Sequence, residues 1–98
     1  MHTLTTVVTP TTKGNRVWFQ GLAGINARWC GGTRYTVNYT KDTIHIIRDS
    51  VGGKRKVTAS KGGIIDLQSN KVTRAMGDAT HCTVTIDNAS ITIQRVTA

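Results

Sequence analysis

The chain has 98 residues, a length that suits one domain and excludes a large multidomain enzyme. Threonine, valine and isoleucine make up more than a third of the residues, glutamate is absent and proline occurs once, so we expect mostly β-structure. Thirteen lysine and arginine residues against five acidic residues give a net charge of +8, which favours a polyanionic partner, above all nucleic acid.

In the first half of the chain, alternating apolar and polar residues predict four strands around one short helix. A strand over 3–9 is followed by a glycine-containing turn and a second strand over 16–21. The segment 33–48 alternates on both sides of a polar turn and predicts a β-hairpin. Between these elements, three apolar residues share one helical face, namely Leu22, Ile25 and Trp29.

The second half predicts the same series of elements. Strands are expected over 55–60 and 63–68, and a second hairpin over 80–95. Val72 and Met76 lie four residues apart and predict a short helix between them. The residues suited to begin and end this helix are Ser69 or Asn70 and Gly77.

The two halves resemble each other in sequence. When 33–48 is aligned with 80–95, six positions are identical, and the apolar alternation agrees along both strands. The inward-facing residues are then Tyr35, Val37 and Tyr39 in one hairpin and Cys82, Val84 and Ile86 in the other. We therefore expect a single domain over 1–98 made of two β-β-α-β-β repeats, 3–48 and 54–95, joined by the polar connector 49–53.

The order of these elements resembles the AbrB/MazE/SpoVT swapped-hairpin transcription-factor superfamily, including its SymE-type members. The residues that carry the resemblance are RVWFQG, LAGINARW and GGTRYTVNYTKDTIHIIR in the first repeat, and the second repeat matches more loosely. The resemblance implies a small β-barrel of swapped hairpins, with one short helix per unit, that grips DNA. Because both units lie in one chain, it implies a pseudo-dimeric monomer, with a homodimer as the alternative.

The sequence departs from the family at two points. Gln20-Gly21 and Gln68-Ser69 stand where the family often has a proline at the helix start. The chain also ends three residues after Arg95, without the acidic tail of antitoxin members, which argues against a toxin-neutralising role.

Most of the positive charge lies in 13–61, which holds ten lysine and arginine residues and two aspartates. The resemblance assigns DNA contacts to Lys13, Arg16, Arg55, Lys56 and Lys61. Lysines there would bind phosphates, whereas an arginine could read guanine in the major groove. The full set of candidate nucleic-acid contacts is Lys13, Asn15, Arg16, Arg28, Arg34, Lys54, Arg55, Lys56, Lys61, Lys71 and Arg74.

Each candidate also has a plainer structural interpretation. The run 54–56 could be a solvated connector, and Asn15 next to a glycine is typical of a turn. Aromatic residues could stack on single-stranded nucleic acid, although most are expected in the core. Trp18 shares a strand face with Arg16 and is the aromatic side chain that we expect to be exposed.

The sequence favours a binding protein over an enzyme, since its three histidines are scattered and no glutamate can pair with an aspartate for acid–base catalysis. Cys30 and Cys82 lack metal-ligand spacing, so we expect two buried free thiols and no metal or cofactor. Without a membrane span or signal peptide, a cytoplasmic location is expected.

The leading hypothesis is a prokaryotic or phage transcriptional regulator that binds duplex DNA. The alternatives are a SymE-like RNA-binding toxin and a small inhibitor that docks on a host nucleic-acid enzyme.

Overall fold

A computed structural model describes residues 2–49 and 52–96 of the chain. The strands are β1 (His2–Thr9), β2 (Asn15–Phe19), β3 (Arg34–Thr40), β4 (Thr43–Arg48), β5 (Arg55–Lys56), β6 (Ile65–Ser69), β7 (His81–Ile86) and β8 (Ser90–Arg95). The α-helices are α1 (Leu22–Ile25) and α2 (Asn70–Met76), and 3-10 turns cover Ala27–Trp29 and Ser60–Gly62. Ser50 and Val51, within the predicted connector, lie outside the described residues.

All eight strands belong to one antiparallel sheet in the order β5-β3-β4-β8-β7-β1-β2-β6. The sheet curls into a nearly closed barrel, which confirms the expected mostly-β fold. A single bridge between Thr58 and Ile64 links the segments next to the two edge strands, β5 and β6. No helix within 2–49 and 52–96 is long and apolar enough to cross a membrane.

The core is built by the inward-facing residues of alternating strands. At its centre β4 pairs with β8, where Ile44 lies opposite Ile93 and Ile46 opposite Ile91. All four side chains are fully buried. Each fully buried isoleucine contributes roughly 1.5–3 kcal/mol relative to an exposed one, so this pair of strands anchors the sheet.

Both predicted hairpins form, as β3–β4 and β7–β8. Their expected inward residues face the core: Tyr35, Cys82, Val84 and Ile86 are buried, and Val37 and Tyr39 are half-buried. The predicted second helix also forms and begins as expected, because the Ser69 hydroxyl accepts a hydrogen bond from the Val72 amide at 3.4 Å. It ends at Gly77, whose amide donates to the Thr73 carbonyl at 2.8 Å.

The first helix is shorter than its apolar spacing predicts. α1 ends after four residues because Asn26 adopts an extended conformation, and its side chain accepts a hydrogen bond from the Arg28 amide at 3.0 Å. Asparagine favours such local side-chain bonds over a continuous helix. The chain resumes as a 3-10 turn that still buries Trp29, so the apolar pattern is satisfied by two short turns.

The predicted strand over 55–60 is also wrong in extent, since β5 contains only Arg55 and Lys56. After β4 the chain passes close to the first residues of β3 at Gly53. β5 then runs antiparallel to β3, in the direction that leads away from the middle of β3. A Cβ atom at Gly53 would lie 2.7 Å from the Tyr35 amide nitrogen, so only glycine permits this crossing. The connector thus brings the chain alongside β3 at Tyr35, and in the described residues the rest of β3 has a neighbouring strand only on its β4 side.

The two cysteines differ, contrary to the expectation that both are buried. Cys30 is exposed after the 3-10 turn, whereas Cys82 is buried on the inner face of β7. Burial raises the pKa of the Cys82 thiol to about 11, because the interior disfavours the thiolate.

We expect this thiol to make the protein less stable in alkali. In the unfolded chain it loses its proton near pH 9, whereas in the folded protein it keeps the proton to about pH 11. The stability that it contributes below pH 9 is therefore lost as the pH rises towards 11, amounting to about 2 kcal/mol between pH 8 and 10.5. Urea unfolding of Cys82→Ala should show a correspondingly smaller alkaline loss than the unchanged protein. Cys30→Ala is the control, and equal pH dependence in all three proteins would contradict the assignment.

Candidate nucleic-acid interface

A concave surface of the protein lies between strand β3 and helix α2. Two adjoining cavities, of about 720 and 610 Å³, share the side chains of Val37, Tyr39, Lys71 and Arg74. We call this surface the β3–α2 groove. Its cationic lining residues are Lys41, Lys54, Arg55, Lys71 and Arg74.

Three separate elements bring these cations together. Lys54 and Arg55 enter at one end, where the connector meets β5, and Lys41 enters from the turn between β3 and β4. Lys71 and Arg74 lie three residues apart on the exposed face of α2. The opposite face of α2 buries Val72, Ala75 and Met76, so core packing fixes the direction in which the helix presents its cations.

Two tyrosines of β3 contribute aromatic rings to the groove. The Lys71 ammonium lies 5.8 Å from the centre of the Tyr39 ring, a cation–π contact that joins the two walls. Tyr35 is buried, and burial raises the pKa of its hydroxyl, although the nearby Arg55 guanidinium opposes the shift. The Tyr35 hydroxyl is therefore protonated at neutral pH and acts as a neutral polar group beside Arg55.

In the described part of the chain, the charged side chains that line the groove are all positive. No acidic residue lines either cavity in the part of the chain that the structure describes. Asp42, next to Lys41 in sequence, is paired with Arg95 at 3.2 Å. Five positive charges consequently share one surface without lining carboxylates, an arrangement that attracts anions.

Arg16 occupies a different environment. Its Nε and Nη2 atoms donate to both carboxylate oxygens of Asp66, at 3.0 and 2.7 Å, and its guanidinium lies 5.3 Å from the centre of the Trp18 ring. The hydrogen bonds that Arg16 donates to the Asp66 carboxylate raise the pKa of Arg16 above its ordinary value. Trp18 is 36% exposed, as predicted, but Arg16 lies over one face of its ring.

Asn15 serves the fold. Its backbone amide donates to the Thr73 hydroxyl at 2.7 Å, and its side-chain amide donates to the Gly77 carbonyl at 3.3 Å. These bonds tie the start of β2 to α2. The preceding Gly14 allows the close approach, because a Cβ atom there would lie 2.4 Å from the Ser69 carbonyl carbon. Asn15 thus has a structural role, but as the first residue of β2 and not within the turn that precedes it.

A smaller positive area adjoins the groove where β3 meets β5. Arg34 lies directly opposite Lys56, and both are exposed. Arg34 and Arg48 also line a cavity of about 250 Å³, while one Arg34 nitrogen donates to the Gly53 carbonyl at 3.2 Å. These residues extend the positive surface beyond the β5 end of the groove.

The remaining outer surface of the sheet differs in character. Uncharged threonines lie opposite one another on neighbouring strands, as in the pairs Thr3–Thr85, Thr5–Thr83 and Thr85–Thr92. Hydroxyl groups carry no charge to attract a polyanion. This part of the sheet therefore offers less attraction to a polyanion than the groove and its β5 end do.

The structure brings together four of the eleven residues predicted from sequence, namely Lys54, Arg55, Lys71 and Arg74, and places Arg34 and Lys56 next to them. Lys13, Arg28 and Lys61 are exposed, do not line the groove, and stay predictions. Sequence reasoning missed Lys41 and Arg48. The available signal was their position in the first predicted hairpin, where Lys41 lies in the polar turn and Arg48 at the end of the second strand.

Comparison of the chain with known protein families, with curated proteins and with solved structures finds no match. Function is therefore inferred from the charges and geometry of the groove.

Asn15→Ala should destabilise the fold without weakening nucleic-acid binding. The substitution removes the side-chain bond to the Gly77 carbonyl and should cost about 1 kcal/mol in urea unfolding. Lys13→Ala, at an exposed turn position, is the control and should change stability by less than about 0.5 kcal/mol. Unchanged stability of Asn15→Ala together with weaker DNA binding would restore Asn15 as a contact residue.

Proposed function

We propose that this protein is a non-enzymatic DNA-binding protein that holds duplex DNA on the β3–α2 groove and the adjoining β5 end. The observation that carries the proposal is the set of five cationic residues that line the groove, with no carboxylate among the lining residues of 2–49 and 52–96. The net charge of +8 adds a long-range attraction that steers a polyanion to the protein.

Binding would be driven mainly by phosphate contacts. Lys54, Arg55, Lys71 and Arg74 line both sides of the groove, so a DNA backbone lying along it meets cations on each side. Each phosphate that they neutralise releases condensed counterions, which makes affinity strongly dependent on salt. Asn70 lies among these cations and offers a polar group that can hydrogen-bond to the DNA.

We also propose a swapped-hairpin architecture of two equivalent units for this barrel. Support comes from the strand pairings. In the two units β1 corresponds to β5, β2 to β6, β3 to β7 and β4 to β8. The pairing of β3 with β5 then corresponds to the pairing of β7 with β1, and the pairings β2–β6 and β4–β8 each join two corresponding strands. On this view the chain is a pseudo-dimeric monomer that acts in the cytoplasm as a transcriptional regulator of prokaryotic or phage type.

RNA binding is the second candidate, favoured by the exposed Trp18 beside Arg16. An exposed aromatic ring near a cation can stack on an unpaired base. Since Arg16 already lies over one face of this ring and is paired with Asp66, only the other face would be available. Duplex DNA is therefore the preferred ligand.

The proposal is tested by measuring binding of the purified protein to labelled duplex DNA, single-stranded DNA and RNA of mixed sequence at two salt concentrations. Tight duplex binding that weakens strongly with salt supports a DNA-binding protein. Preference for RNA supports the second candidate, and absence of binding to all three polymers contradicts both.

The groove is tested by replacing Lys71 and Arg74 together with glutamine. Losing two phosphate contacts should reduce the slope of log affinity against log salt by about 1.8. The matched control replaces Lys13 and Lys61 with glutamine, which removes the same net charge from outside the groove. We expect the control to weaken binding less. An equal or larger effect in the control would instead favour the loop contacts that the family resemblance implies.

A further inference from the structure

The groove contains an unpaired strand edge. In the part of the chain that the structure describes, β5 pairs with β3 only at Arg34 and Tyr35, so the central part of β3 has β4 on one side and no strand on the other. This edge faces α2 across the groove. From Thr36 to Thr40 it extends over about 14 Å at the usual rise per residue.

The hydrogen-bond pattern identifies which backbone groups face the groove. The Asp49 amide donates to the Arg34 carbonyl at 3.0 Å on the β4 side, and the Val57 amide donates to the Thr33 carbonyl at 2.9 Å on the β5 side. Because backbone groups alternate between the two sides of an antiparallel strand, those of Val37 and Tyr39 point away from β4. Across 2–49 and 52–96 their N–H and C=O groups have no hydrogen-bond partner on that side.

The other half of the sheet has the corresponding edge occupied. Val84 and Ile86 of β7, which align with Val37 and Tyr39, lie opposite Leu4 and His2 of β1. The fold therefore covers one of two similar edges with an extended segment of its own chain. The corresponding edge of β3, at Val37 and Tyr39, has no strand beside it among the described residues.

We propose that an acidic, extended peptide segment of a partner protein adds to the edge of β3 as a further strand. Backbone groups of the segment would pair with Val37 and Tyr39, and its carboxylates would meet Lys54, Lys71 and Arg74. The segment would occupy the same groove as DNA and so compete with it. The competition with DNA rests on the proposed DNA binding, whereas the docking of the peptide segment does not.

The backbone groups of the edge are fully paired by a peptide strand and only partly by a nucleic acid. Val37 and Tyr39 each present one donor and one acceptor, which is the pattern that another strand complements. A phosphodiester accepts hydrogen bonds but donates none, so it would leave both carbonyl groups unpaired. Charge complementarity then requires the segment to be acidic, because the cations that line the groove have no carboxylates among them.

The docking is tested with Val37→Pro against Val37→Ala. Both variants lose the half-buried valine side chain, but only proline removes the amide proton that faces the groove. The probe is a fluorescent synthetic peptide of alternating aspartate and threonine. We expect Val37→Pro to bind it about three to ten times more weakly than Val37→Ala, the range for one lost hydrogen bond.

A second measurement uses the unchanged protein and needs no variant to fold. The same peptide, N-methylated at every residue, keeps its charge but has no amide proton on either edge and cannot form a strand ladder. It should bind more weakly, and only the unmethylated peptide should slow amide hydrogen exchange at Val37 and Tyr39. Equal binding of the two peptides would overturn the proposal. The cations would then be interpreted as charges that protect an open strand edge from aggregation. A dimer of the protein alone that Val37→Pro disrupts would also overturn it, in favour of self-association.

Duplex DNA binding, measured on the same variants, separates the two proposals. If both are correct, both variants keep salt-dependent DNA binding through the groove cations, and the peptide releases labelled DNA from the unchanged protein. Peptide binding without DNA binding would overturn the DNA function and retain the docking site. DNA binding without backbone-dependent peptide binding would overturn the docking site alone.

Discussion

The pairing of β4 with β8 is the contact on which the rest of this structure depends. It aligns four fully buried isoleucines, Ile44 with Ile93 and Ile46 with Ile91, and joins the two hairpins into one four-stranded layer. β3 and β7 then form the borders of that layer. The other four strands extend from these two borders, with β5 next to β3 and with β1, β2 and β6 in succession beyond β7.

The two borders are completed unequally. β1 pairs with β7 at six positions, from His2 to Val7, whereas β5 pairs with β3 at two. The reason lies in the crossing at Gly53, which directs the chain away from the centre of β3. This difference creates the β3–α2 groove, and the cations of α2 and β5 give the groove its charge.

Much of the fold follows from local sequence patterns. The hairpins could be predicted because alternation of apolar and polar residues is maintained over both strands, and the second helix because Ser69 and Gly77 bound it. The break at Asn26 escaped this reasoning. Apolar spacing at Leu22, Ile25 and Trp29 is satisfied equally by one helix or by two short turns.

The candidate site was less predictable, because it depends on contacts between distant residues. The pairing of Arg16 with Asp66, 50 positions apart, places a carboxylate against an arginine that the resemblance assigned to DNA, although the Arg16 side chain stays 38% exposed. Lys41 enters the groove because the barrel places its turn near α2. The open edge of β3 arises from the path of the connector, which composition and periodicity do not specify.

The central claim is that DNA lies on the β3–α2 groove, and an NMR titration of the isotope-labelled protein with duplex DNA tests it most directly. The account predicts the largest amide shift changes at Asn70, Lys71 and Arg74 and at Tyr39 and Lys41 on the opposite wall. It predicts little change at Thr85 and Thr92 on the uncharged outer surface. Changes concentrated on that outer surface, or no changes at saturating DNA, would contradict the account.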